Sequence, residues 1–135
     1  MKLIISTIVV GIVLFAIGGL FYALLFADFF KTSFPARGAG DMKLFAVGSM
    51  ARAFFLYLIY SKGYQGGSPM AEGFKFGVLV SLFYIIPLML FTWGGAPVKY
   101  QAVAVDGALQ FVMMMIAAVL TAIIHGRGSK PAQTT

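Results

Sequence analysis

Arg52 is the residue whose position most requires a chemical account. It falls about eight residues into an otherwise apolar stretch, which is about 12 Å deep at about 1.5 Å per residue. A bare guanidinium at that depth in hydrocarbon costs at least about 2.5–3.5 kcal/mol. It must therefore face protein or water and find a partner. Asp106 complements it in charge and in depth, since it lies about one and a half turns into the fourth apolar stretch, which starts from the same side as the second. Gln110 stands one turn further along the face of Asp106. Tyr84, near the middle of the third stretch, adds a hydroxyl. Asp28, nearer the end of its stretch, is an alternative partner for Arg52, and it is also spaced to pair with Lys31 across i,i+3. Such a cluster serves one of two purposes. It is a proton or ligand site inside the bundle, or it is a clamp that fixes helix packing. A single pair is a common clamp, so the structural purpose is the expectation.

The remaining polar residues exclude more than they suggest. The chain has no cysteine, one histidine and four acidic residues. That composition rules out disulfides, thiolate metal sites and cysteine catalysis. It also leaves too few ligands for an expected metal site. Haem ligation by two histidines of one chain is impossible, and nothing points to a His–Met haem. No nucleophile–base arrangement is visible, and the glycines between Gly63 and Ser68 lack the lysine and spacing of a phosphate loop. We expect no catalytic residues, no metal and no cofactor; an enzyme would have to be built from Arg52, Asp106 and tyrosines. His125, at the end of the last apolar stretch, reads as an interfacial anchor where a cation suits the helix dipole. Trp93, Tyr60, Tyr64 and Tyr100 read as an interfacial aromatic belt. Met113, Met114 and Met115 point to different faces and read as apolar filler.

The elements that carry these residues follow from hydropathy. Hydrophobic residues make up 61% of the 135 and charged ones 10%, against about 45–50% and about 25% in a soluble domain. A chain of this length forms one domain. A spanning helix needs about 20 mostly apolar residues, and four stretches qualify: 3–30, 44–60, 74–93 and 101–124. Polar connections rich in glycine and proline separate them. Connections this short force antiparallel neighbours, so the expected fold is all-α, an integral membrane four-helix up-down-up-down bundle over residues 1–125. Residues 126–135 form a polar tail. The apolar run after Met1–Lys2 is too long for the core of a secretory leader and lacks a clear small-x-small site before Asp28, so it reads as an uncleaved anchor. The first stretch exceeds what a bilayer needs and must tilt or stand out in the interface.

Small residues recur every four positions: Gly19, Ala23 and Ala27; Gly73, Gly77 and Ser81; Ala104 with Ala108; Ala118 with Ala122. Such spacings let helix backbones approach closely. They predict a tight bundle without a wide pore. Pro87 removes one backbone hydrogen bond and should bend the third helix. The net charge is +6, with the basic residues in short connections and at chain ends, where they suit anionic lipid head groups better than nucleic acid. Outside Arg52, Lys2, Lys62, Lys75, Arg127 and Lys130 fall on the terminal side and Lys31, Arg37, Lys43 and Lys99 on the other. That margin of one residue gives the termini to the cytoplasm.

Gly18-Gly19-Leu20-Phe21-Tyr22-Ala23-Leu24-Leu25-Phe26-Ala27-Asp28-Phe29-Phe30 resembles the first-helix signature of a family of small four-helix bacterial membrane proteins of unknown function. Glu72-Gly73-Phe74-Lys75-Phe76-Gly77 resembles that family's third-helix entry, and Val105-Asp106-Gly107 its fourth. Phe21 departs from the pattern, where relatives often have an aliphatic residue or Trp. The resemblance implies a four-helix fold in the bacterial cytoplasmic (inner) membrane and carries no activity with it. The expectation is a structural or accessory membrane protein that acts through helix and loop contacts with the lipid bilayer, with a second copy of itself or with a larger membrane complex. A small-molecule or proton-coupled carrier using the Arg52–Asp106 site is the alternative, and a membrane enzyme comes third.

Overall fold

A computed structural model of the chain describes residues 1–26, 28–29, 42–95 and 98–126. These residues form four long helical segments. The first is α1, Lys2–Gly19, which continues without a break into a π-helical turn, Leu20–Leu25. Then come α2, Met42–Gly63, α3, Pro69–Gly95, and α4, Tyr100–Gly126. All four are long and apolar enough to cross a membrane.

The boundaries differ from the hydropathy reading in two instructive places. The first helix ends at Leu25 and not near residue 30, because Phe26 leaves helical geometry with φ −119° and ψ 18°. The widened turn closes there with a bond from the Phe26 N–H to the Phe21 carbonyl at 2.9 Å. α3 begins five residues earlier than its apolar run. Pro69 occupies the first helical position, where no N–H is missed. The Glu72 carboxylate accepts from the Gly67 N–H at 2.6 Å, which places an anion in the positive first turn. Gly66 takes φ 82° in this turn, a conformation only glycine adopts freely.

Packing is uneven. α1 lies extensively on α2, and α3 on α4; α4 also packs on α1 and, less, on α2. α2 and α3 scarcely approach each other. α4 is consequently the most buried of the four. The core is formed by Val10 and Leu14 of α1, Ala53 and Leu56 of α2, and Met113, Met114 and Ala117 of α4. Two members of the run Met113–Met115, Met113 and Met114, are core residues.

Small residues set the closest contacts, but not all the stripes do so. A Cβ at Gly73 would stand 2.8 Å from the Ala122 Cβ and 3.1 Å from the Val119 Cα. One at Gly77 would stand 3.0 Å from the Ala118 Cβ. Ser81, on the same stripe, is fully buried. The α1 stripe is different: Gly19 and Ala23 are exposed, nothing lies within 4 Å of a Cβ at Gly19, and Ala27 is outside the described residues. α1 uses Gly11 instead, where a Cβ would come within 3.2 Å of the Met50 Cα. Ala104 and Ala108 are also exposed. α3 runs through Pro87 as one element.

These contacts generate a stability test. Gly73→Val should lower the unfolding free energy in detergent by about 1–3 kcal/mol, because the added atoms meet backbone that cannot swing away. Gly19→Ala should be neutral or slightly stabilising, since it fills open space and removes backbone freedom from the unfolded chain. Denaturant titration followed by helicity measures both, and equal losses at the two sites would contradict the packing.

Candidate functional site

The polar residues expected to cluster within the apolar helices converge, but through a partner the sequence reading did not include. Arg52 stands halfway along α2, and its Nη1 donates to Gln110 Oε1 of α4 at 2.9 Å. Gln110 Nε2 donates in turn to the Tyr22 hydroxyl at 3.0 Å. The Tyr22 hydroxyl donates to Asp106 Oδ1. Arg52 Nη2 donates to the Tyr84 hydroxyl of α3 at 3.2 Å, and the guanidinium carbon lies 5.1 Å from the centre of the Tyr84 ring. Each of the four helical segments contributes at least one member.

The sequence predicts Arg52 within salt-bridge reach of Asp106, directly or through one water. Among the described residues, the two are joined instead through Gln110 and Tyr22. The physical reason is the placement of groups along α4. Gln110 is one turn nearer the level of Arg52, and Asp106 is one turn nearer the start of α4, level with the end of α1, where Tyr22 stands. Every donor in the chain of bonds points the same way, from cation to carboxylate. Bonds aligned in this sense polarise one another in a low-dielectric interior. The arrangement therefore joins opposite charges across three hydrogen bonds without bringing them into contact.

Tyr22 is the member of the cluster that sequence reading missed. The available signal was physical: a phenol in an apolar helix needs a hydrogen-bond partner when buried, and the end of α1 lies level with the start of α4. Its place in a π-helical turn could not be read from residue types. π turns shift side-chain phase and occur often at functional positions.

A second group of polar and aromatic side chains gathers where α1 begins and α4 ends. Lys2 Nζ donates to the His125 carbonyl at 2.8 Å. The His125 Nδ1 lies 3.1 Å from the Tyr57 hydroxyl. Rings of Tyr57, Tyr60 and Tyr64 surround the imidazole at 5.5, 5.5 and 4.8 Å between centroids. His125 is thus packed among residues of α2 and of the turn that follows it. Tyr60, expected in the outer aromatic belt, is buried here and reaches Glu72 at 3.5 Å. Trp93 packs edge-on against Tyr100 at 5.9 Å at the opposite end. Asp28 is exposed just beyond the π turn. Lys31, and with it the expected Asp28–Lys31 pairing, lies outside the described residues. Among the described residues no three His, Cys, Asp or Glu side chains come together as metal ligands would.

No family model, no curated protein and no solved structure matches the chain. The polar side chains hold a separated charge pair among four helices, with Arg52 and Tyr84 at the edge of a groove between α2 and α3.

The relay predicts coupling between α1 and α4. Tyr22→Phe removes the middle hydroxyl and strands both the Asp106 carboxylate and the Gln110 amide, so it should cost about 1–3 kcal/mol. Gln110→Leu breaks the same chain one link earlier. The double variant should lose less than the sum of the two, with an interaction energy of about 0.5–3 kcal/mol. Strict additivity in that cycle would mean that the two residues act independently.

Proposed function

We propose that this chain is a small integral membrane protein, an up-down-up-down four-helix bundle of the bacterial inner membrane, serving as a structural or accessory subunit. The observation that carries this reading is how the polar groups are used. Arg52, Gln110, Tyr22 and Asp106 are spent on one another, and the relay draws in all four helices. The outward surface is apolar over long distances, with Leu24, Phe83 and Phe91 each more than 70% exposed. Water penalises such a surface, whereas lipid tails or a partner helix do not.

The topology has its own support. Lys2 meets the end of α4 at His125. Gly73 faces Ala122, while Gly107 faces Ile85. Partners that ascend on one helix while descending on its neighbour fit an alternating traverse with both termini on one face. The excess of one basic residue favours the cytoplasm for that face. The resemblance of the 18–30 segment to bacterial four-helix proteins favours a bacterial membrane. Its partners on this reading are the lipid bilayer and either a second copy or a larger membrane complex, with no nucleic acid.

A carrier is the second reading, and one observation favours it: a groove between α2 and α3 reaches Arg52 and Tyr84. Gln110 and Asp106 do not line that groove, so the carboxylate and its amide link are turned inward and only Arg52 of the pair reaches the opening. That inward placement suits a clamp better than a translocation path.

Two measurements test the proposal. The chain is free of cysteine, so single cysteines introduced at positions 2 and 130 report topology cleanly. Both should react with an impermeant maleimide from the same side, and labelling from opposite sides would end the four-span reading. Gentle extraction from the source membrane should recover the chain in an assembly well above its 14.5 kDa mass plus a lipid belt. Recovery as a lone monomer would overturn the subunit role.

A further inference from the structure

Among the described residues, only Leu20–Leu25 leaves regular α-helical bonding inside a long helical segment. The Leu20 N–H still bonds back to the Ala16 and Ile17 carbonyls. Six residues later the Phe26 N–H reaches back five positions to the Phe21 carbonyl at 2.9 Å. Turns of that width are rare and occur singly within α-helices. An unusual backbone state persists where its surroundings hold it.

What holds this one is narrow. No residue of the turn is buried, and Leu20, Leu24 and Leu25 are exposed. Phe21 and Tyr22 are the two that pack against the core. Of these, Tyr22 carries hydrogen bonds to α4, donating to Asp106 and accepting from Gln110. We propose that the end of α1 is a two-position latch: the Tyr22 bonds to α4 hold the wide turn, and weakening them lets it close to regular α-helix and swing Tyr22 away.

The hinge for such a movement is in place. Gly18 and Gly19 stand just before the turn, and glycine leaves the backbone freer than any other residue. A Cβ at Gly18 would meet only the Met113 Cε, the far end of a flexible side chain, at 3.3 Å. One at Gly19 would meet nothing within 4 Å. Upstream, α1 is pinned: Val10 and Leu14 are core residues, and a Cβ at Gly11 would come within 3.2 Å of the Met50 Cα. Movement is thereby confined to the residues beyond Leu14.

Both positions are tolerable for the groups that move. Closing the turn releases one residue, so the side chains beyond it rotate by up to about 100°, one residue's share at about 3.6 residues per turn. On the exposed side this exchanges one leucine for another. The phenol is not stranded, since Tyr22 lies three residues before the helix ends at Leu25, or about 4.5 Å at about 1.5 Å per residue. Tyrosine hydroxyls are at home near that interface. The trigger is the charge on Asp106, because a hydrogen bond to an ionised acceptor is about twice as strong as a neutral one. Arg52, reached through Gln110, is the charged group on the other side of the relay. The latch transmits a change at Asp106, inside the bundle, to Leu24 and Leu25 on its surface.

The test is pulsed electron double resonance on the full chain in nanodiscs. The chain has no cysteine, so nitroxides placed by Leu24→Cys and Leu79→Cys, both exposed positions, report the turn against α3. A second pair, Ile8→Cys with Leu79→Cys, reports the pinned part of α1. One Leu24–Leu79 distance is expected in the parent chain. Tyr22→Phe should move it by several ångströms to a second discrete value. Asp106→Asn, which keeps an acceptor but removes the charge, should populate both values. The Ile8–Leu79 distance should stay fixed throughout, and Tyr84→Phe, which disturbs Arg52 and leaves the Tyr22 bonds alone, should leave the Leu24–Leu79 distance unchanged. An unmoved distance in Tyr22→Phe would show that the relay does not hold the turn. Broadening without a second value would exclude two positions. An equal shift in Tyr84→Phe, or a matching shift of the Ile8 pair, would mean general loosening of the bundle and would overturn the latch.

Discussion

A charge in an apolar bundle sets the constraint on which the rest depends. Arg52 cannot be left bare, and a direct ion pair would have required Asp106 to stand at its level. The protein instead places Gln110 at that level and carries the interaction onward through Tyr22 to the carboxylate. Each polar group keeps a hydrogen-bond partner, and the Asp106 carboxylate stands one turn of α4 away from the Gln110 amide that meets Arg52. Because the relay needs an amide from α4, a phenol from α1 and a guanidinium from α2, it also fixes the rotation of those helices about their own axes. Apolar packing alone specifies rotation weakly, since most outward and inward side chains here are similarly greasy. The relay is therefore a device of specificity more than of net stability, consistent with the small net return expected of buried charge pairs.

The π turn at Leu20–Leu25 belongs to the same constraint. It follows eighteen residues of regular α-helix, and Tyr22 lies inside it. A wider turn changes the angle at which successive side chains leave the axis. Phe21 and Tyr22, adjacent in sequence, both pack against the core, which a regular turn with about 100° between neighbours makes harder to achieve. At the other end of the molecule the anchoring is of a different kind. Rings from α2 and the following turn enclose His125, and the Lys2 ammonium closes onto the last turn of α4. One end is tied by a directional relay and the other by aromatic packing with a single cationic bond.

Much of this was legible in residue types, and the illegible part has identifiable causes. Four helices follow from four apolar runs because helix length and hydropathy are local properties. Arg52, Gln110 and Tyr84 could be grouped because each is an isolated polar residue whose depth can be counted along its helix. The intermediary could not be chosen by counting, since depth fixes level but not rotation, and Asp106 and Gln110 share a face. Tyr22 was hidden for a related reason. Tyrosine is at home in an interfacial belt, and only the third dimension turns its hydroxyl inward. The same limit applies to small-residue stripes. Gly73-Gly77-Ser81 and Gly19-Ala23 have one spacing and opposite fates, because spacing says that two helices can approach and not which face meets a neighbour. The early start of α3 was readable from Ser68-Pro69 and Glu72, a helix-start signal that a search for apolar runs passes over.

Unevenness of packing then has a functional consequence. A bundle in which every neighbouring pair closed equally would bury Arg52 on all sides and make it a clamp alone. Here α4 holds α1 and α3 tightly, and the α2–α3 side is left apart. Closing it would require Phe55 and Phe83 to interdigitate, yet both remain exposed, as does Ile59. Arg52 and Tyr84 therefore lie at the edge of an apolar opening. The bonds to Gln110 and Tyr84 hold the side chain in place at that edge.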